Sequence, residues 1–143
     1  PESTNTMPAF PDHWDVIEEA DDAMPFRLVT APSRGYLNST FTETQTSAKR
    51  EARPKIKIHP ADAEALGVGD GARVRLGNDR GDVVVHTELF DGLQRGVVIS
   101  EGVWQNDAFE EGRGINVLTG ADPCAPVGGA AFHDNRIWIR GLK

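Results

Sequence analysis

From residue 26 onward the chain reads as a series of short runs in which apolar and polar residues alternate. In "KIKIH" Ile56 and Ile58 fall opposite Lys55 and Lys57; in "ARVRL" Val74 and Leu76 fall opposite Arg73 and Arg75. "RIWIR" sets Ile137 and Ile139 against Arg136, Trp138 and Arg140. A period of two sends successive side chains to opposite faces of a strand, so each run predicts a strand with one face in a core. "FRLVT", "DVVVHTEL", "GVVIS" and "INVLT" are further strand signals, with Gly, Pro, Asn and Asp clusters between the runs. That spacing predicts an all-β barrel or sandwich. One helix is clear, over "HPADAEALG", with Pro60 in its first turn and Gly67 as its stop. "GNDRGD" is a turn between two strands, with Gly81 available for a positive φ; hairpin chemistry accounts for its RGD triplet.

Within this pattern Gly67, Gly69 and Ala72 satisfy G-x-G-x-x-[GA], a spacing that seats a dinucleotide pyrophosphate where a strand enters the loop and a helix leaves it. Here a helix enters and a strand leaves. The glycines therefore read as caps and turns.

Composition narrows the classes. The 143 residues, 38% hydrophobic and 26% charged, suffice for one domain with a real core, and no apolar run approaches a membrane span. Of the net charge of −7, seven acids lie in residues 1–24 (Glu2, Asp12, Asp15, Glu18, Glu19, Asp21 and Asp22) without a Lys or Arg. The remainder is formally neutral, which argues against a nucleic-acid surface, and no direct membrane contact is expected. The single cysteine, Cys124, permits no internal disulfide and no Cys-rich metal site from this chain alone. "PESTNTMPAFP" reads as a linker, so residues 1–24 are expected to be an acidic linker or the edge of a preceding domain, and 25–143 the barrel of an excised piece of a longer protein. "DHWDVIEEADD" has the spacing of a helical turn through Trp14 and Ile17, but a loosely packed linker is the simpler reading.

His13, His59, His86 and His133 lack metal-ligand spacing and read as ordinary strand or loop residues. Ser33, Ser39 and Ser100 have no His–acid pattern, and "NST" at 38–40 has no other mark of secretion beside it. Three segments carry more. "VTAPSRGYLNSTF" gathers hydroxyls, an amide, Arg34 and Tyr36. "EGVWQNDAFEEGRGINVLTG" adds Trp104, Asn106, Arg113 and Asn116. "DPCAPVGGAAFHDN" adds Gly128, Gly129 and Phe132. Together they offer planar faces, amide edges and exposed backbone donors, which suit a purine and a pterin.

The ordered run "IHPADAEALGVGDGARVRLGNDRGDVVV", then "GVVISEGVW", then "GINVLTG", resembles the C-terminal molybdopterin-dinucleotide-binding domain of molybdenum and tungsten oxidoreductases of the dimethyl-sulfoxide-reductase and formate-dehydrogenase type. "LNSTF" and "GGAAFHDNRIWI" turn the resemblance toward formate-dehydrogenase-like or polysulfide-reductase-like members. It implies a mainly β, six-stranded double-psi β-barrel (aspartate-decarboxylase-like) with one or two short helices. It also implies molybdopterin guanine dinucleotide as cofactor, in a molybdenum or tungsten bis form shared with the remaining domains of a parent oxidoreductase. Those domains would carry the metal ligand and clusters, leaving this chain inactive by itself; cytoplasmic or periplasmic placement would be decided upstream of residue 1. By the same resemblance Thr30, Ser33, Arg34, Tyr36, Asn38, Ser39, Trp104, Asn116, Gly128, Gly129 and Phe132 would line the cofactor, with Arg34 its one charge-assisted contact. The chain departs from the family where "APSR" stands in place of a Gly-Arg or Val-Arg pair. Two other classes remain open: a double-psi interaction module of an unfoldase ATPase, and an aspartate-decarboxylase-like enzyme, which would need a Gly-Ser pair that the chain lacks.

Overall fold

The computed structural model describes residues 16–124 and 128–143. Six strands, β1 (Phe26–Ala31), β2 (Lys55–Ile58), β3 (Arg73–Gly77), β4 (Asp82–Leu89), β5 (Val97–Glu101) and β8 (Asn135–Gly141), close into a barrel in the order β1-β5-β2-β4-β3-β8. Outside it β6 (Pro123–Cys124) and β7 (Gly129–Ala130) form a two-stranded ribbon. The β1–β5 and β2–β4 pairs are parallel and the others antiparallel, so β5 is inserted between β1 and β2, and β4 between β2 and β3. The pattern of runs predicts a β barrel or sandwich, and this is the six-stranded double-psi barrel that the family resemblance implies.

The alternating runs do what their period dictates. Leu28, Ile56, Ile58, Val74, Leu76, Val83, Val85, Val98 and Ile137 are almost wholly buried in one core, while Lys55, Lys57, Arg73 and Arg75 stand outside. Each such aliphatic side chain contributes about 1.5–3 kcal/mol relative to leaving it in water. On the outer face Lys55 pairs with Glu88 at 2.7 Å and Lys57 with Glu101 at 2.6 Å, joining neighbouring strands.

Two elements differ from the pattern reading. "INVLT" is a 3-10 turn over Ile115–Leu118 and not a strand. A closed barrel offers no free edge for a seventh strand, and the three-residue spacing of Ile115 and Leu118 suits a 3-10 turn with Leu118 driven fully into the core. The turn lies against β4, and Gly81 faces Val117 there in ordinary contact without a positive φ. Besides the expected helix α2 (Pro60–Ala65) there is α1 (Gln45–Glu51), polar on most faces. Its N-cap Thr44 accepts from the Ser47 amide, and Lys49 and Arg50 sit in its last turn.

The glycines of the 67–72 segment act as punctuation. Gly67 follows α2 at φ +68° and Gly71 turns the chain into β3 at φ +70°. The Thr87 hydroxyl donates to the Gly69 carbonyl at 2.6 Å, locking the turn to β4. Trp14 lies outside the described residues; from Val16 to Met24 there is no helix. Part of the acidic stretch is nonetheless fixed to the barrel. Glu18 binds Arg80 at 2.7 Å and accepts from the Arg136 amide, and Asp21 binds the Arg136 guanidinium at 2.6 Å.

Candidate functional site

The parallel register of β1 and β5 sets Thr30 beside Ser100 and Ala31 beside Glu101, so both strands release their loops at the same end of the barrel. The chain after β1 and the chain after β5 therefore meet there, and the segment entering β8 joins them. Between them lies a cleft of about 570 Å³, lined by Thr30–Ser33, Asn38, Gly102–Trp104, Asn106, Gly114–Asn116, Thr119, Gly120, Phe132 and His133. That volume is in the range of small-molecule sites, roughly 300–1,000 Å³.

The floor of the cleft is fixed by close packing. Gly102 has φ +84° and donates its amide to the Ala31 carbonyl at 2.8 Å; a Cβ there would collide with the Tyr36 hydroxyl. Tyr36 is buried, and its ring meets Trp104 edge-on at 5.6 Å. The Trp104 indole donates to the Glu101 carbonyl at 3.1 Å, which sets the ring at the cleft wall. Tyr36 has a buried hydroxyl with no hydrogen-bond partner among the described residues. Burial, reinforced by the Glu51 and Glu101 carboxylates, pushes its pKa up to about 12. The phenol therefore stays neutral and acts as a wedge under Trp104.

The loop after β5 is held by its own groups and by ions on the outer wall. The Asn106 side chain accepts from the Gly114 amide at 3.1 Å, closing the loop on itself. Arg73 grips Glu110 through two nitrogens, Arg75 bonds Asp82 and Glu111, and Arg113 bonds Glu111 at 2.5 Å. Arg75 and then Arg113 pull the Glu111 carboxyl down to about 2. Arg113, which sequence reasoning grouped with the ligand-facing residues, is thus occupied in this network.

Of the residues expected to line a cofactor, Thr30, Ser33, Asn38, Trp104, Asn116 and Phe132 come together on the cleft. Tyr36 lies behind Trp104 rather than on the surface. Arg34 is exposed and away from the lining; Ser39 lies in the same loop, its carbonyl accepting from Thr42 at 3.1 Å. Gly129 belongs to the β6–β7 ribbon, with Gly128 in the turn before it, and Gly129 borders a smaller apolar recess that shares Phe132 and His133 with the cleft. Sequence reasoning missed Gly102, Gly114, Thr119 and His133 as lining residues. The signal for His133 was its place directly after Phe132, which a search for metal-ligand spacing passes over.

Among the described residues the lining contains no Asp, Glu, Lys or Arg. What it offers is amides (Asn38, Asn106 and Asn116), hydroxyls (Thr30, Ser33 and Thr119), two flat rings and one imidazole. The Asn116 side chain makes no hydrogen bond among the described residues; the turn it sits in is closed by its backbone carbonyl, which accepts from Thr119 at 3.1 Å. Unpaired amides can donate and accept along the edge of a heterocycle, and a lining without acids spares a bound anion repulsion, so the donor set fits a nucleotide-bearing group. Among the described residues no three His, Cys, Asp or Glu converge as metal ligands.

The family described as "Molydopterin dinucleotide binding domain" matches residues 26–136. The chain is 36% identical over 135 residues to "Probable oxidoreductase YoaE" of Bacillus subtilis (strain 168), covering 93% of this chain and 19% of that protein. It is 29% identical over 136 residues to "Dimethyl sulfoxide reductase DmsA" of Escherichia coli (strain K12), covering 92% of this chain and 16% of that protein. The chain therefore spans less than a fifth of the length of each of these relatives. Among solved structures, acetylene hydratase from Pelobacter acetylenicus superposes with a TM-score of 0.68 at 16% identity, over 84% of this chain and 18% of that one. The likeness extends to the fold.

Proposed function

The chain belongs to the molydopterin dinucleotide binding domain family, and we propose that within a larger oxidoreductase it closes over molybdopterin guanine dinucleotide and holds it in the cleft at the end of the barrel. The observation that carries this is the uncharged, amide-rich cleft, in which Asn38 and Asn116 stand at the wall with Trp104 and Phe132. When bound, the cofactor's metal centre supplies the electron-pair chemistry. The chain's own part is to bind, orient and exclude water. Trp104 and Phe132 give apolar faces to the heterocycle, the Asn38 and Asn116 amides read its edges, and the hydroxyls of Thr30 near the end of β1 and of Ser33 in the loop after it border the group. No charged side chain is needed for this, so selectivity rests on aimed donors rather than on a diffuse field.

The remaining domains of the parent would cover the rest of the cofactor and carry the metal ligand. On the substrate, the motif pattern points to a formate-dehydrogenase-like or polysulfide-reductase-like parent, whereas one relative is named for dimethyl sulfoxide, which favours a parent that reduces an S-oxide. The test is made on the full-length protein. Purified, it should release molybdenum or tungsten and a guanine nucleotide in fixed proportion, and a reduced viologen should be oxidised by dimethyl sulfoxide in preference to polysulfide. Protein that is folded but free of guanine nucleotide would overturn the reading. Dye-linked oxidation of formate in place of S-oxide reduction would overturn the substrate alone.

A further inference from the structure

Among the described residues His133 is the one ionisable side chain lining the cleft. It enters from the segment before β8, and its Nδ1 lies 2.9 Å from the Thr30 Oγ1 at the end of β1, a side-chain bridge across 103 positions of sequence. The Phe132 ring packs beside it at 4.6 Å, tilted by 50°. When the Thr30 hydroxyl donates to Nδ1, the imidazole proton sits on Nε2, and Nε2 has no partner among the described residues. In that tautomer the ring is held in place by one nitrogen while the other is left as a donor. Around it are Thr30 from β1, Phe132 on its own segment, and, in the adjoining recess, Ile17, Cys124 and Asp134; Asp134 is the one carboxylate in that set.

We infer that His133 is the anion contact of this cleft, its Nε2 donating to a phosphate oxygen of the bound dinucleotide while Thr30 sets the tautomer and the ring angle. The inference rests on the proposed cofactor reading and deepens it. It also moves the charge-recognising role from Arg34, which lies outside the lining, to a residue whose spacing carries no metal signature. The asparagines suit heterocycle edges, where donor and acceptor are both required. A phosphate needs donors only, and an imidazole N–H fixed at one end supplies one with little entropy to lose. His133 is exposed and outside the core, so removing it leaves the barrel intact.

The experiment uses the full-length protein as purified and follows the first-order release of guanine nucleotide after dilution, together with the thermal unfolding midpoint. His133→Ala should release the nucleotide roughly tenfold faster or more, the expected loss of one hydrogen bond to a charged group, with an unchanged midpoint. His133→Gln, which keeps a donor, should release it more slowly than His133→Ala, and Thr30→Val should lie between the wild type and His133→Ala. Release from His133→Ala at the wild-type rate would overturn the inference while leaving the cofactor reading standing. A wild-type protein that holds no guanine nucleotide would remove both.

Discussion

The outer wall beside the loop after β5 and the cleft at its inner side use their polar groups in opposite ways. On the wall Arg73, Arg75 and Arg113 are matched to Glu110, Glu111 and Asp82, and each of these three guanidinium groups has a carboxylate partner. In the cleft, a few residues away along the same loop, there is no charged pair among the described residues, and the Asn116 amide is left without a partner there. The wall holds the loop; the cleft keeps its donors free. Arg113, which draws attention in the sequence, is therefore not available to a ligand here, because its charge is already satisfied within the fold.

Wall and cleft share an anchor, and the largest loss is expected there. Leu118, fully buried, ties the turn that carries Asn116 to the core, and Leu118→Ala should cost about 2–5 kcal/mol of stability in a denaturant titration. A cost below about 1 kcal/mol would mean the turn is not anchored there. Gly102→Ala tests the cleft floor. The added methyl would meet the Tyr36 hydroxyl, and the positive φ is strained for alanine, so a loss of roughly 1–3 kcal/mol is expected, with a change in Trp104 fluorescence. An unchanged melting temperature would contradict it.

Acid tests the wall alone. The folded-state pKa of Glu111 is depressed to about 2 by Arg75 and Arg113, so its contribution is present above the ordinary value of 4.5 and is lost as pH falls from there through about 2. Because the group is exposed, the effect should be small and local: proteolysis by pepsin within residues 105–114 should rise across that window before the barrel melts, and Glu111→Gln should raise the susceptibility at about pH 5. Uniform cleavage along the chain would argue against a local release.

The barrel was legible where its strands alternate, as in β2 and the start of β3: Ile56 and Ile58 or Val74 and Leu76 have only one way to be buried together. The Ile115–Leu118 turn was not, since a short apolar run without alternation is shared by strands and tight turns, and only barrel closure decides between them. Helix α1 escaped because its sequence lacks an apolar stripe; its only marks are the Thr44 cap and the basic last turn. In the site, Asn38, Trp104, Asn116 and Phe132 were readable as amide and aromatic positions in turn-rich segments. That Arg34 and Tyr36 are absent from the cleft lining was not legible, because exposure and burial within one loop are set by tertiary contacts. Tyr36 turns inward against Gly102, and Arg34 does not.

Asn116 decides whether the unpaired amides of the cleft hold a dinucleotide or shape the fold. In the full-length protein, guanine nucleotide and metal released per mole are to be measured for the wild type and for Asn116→Ala, beside the melting temperature of each. If Asn116 binds the dinucleotide, the melting temperature is unchanged and cofactor binding is weakened by roughly 1–3 kcal/mol, the cost of leaving a buried partner atom unsatisfied. Full cofactor content with a lowered melting temperature would contradict it and make Asn116 a structural residue of the turn.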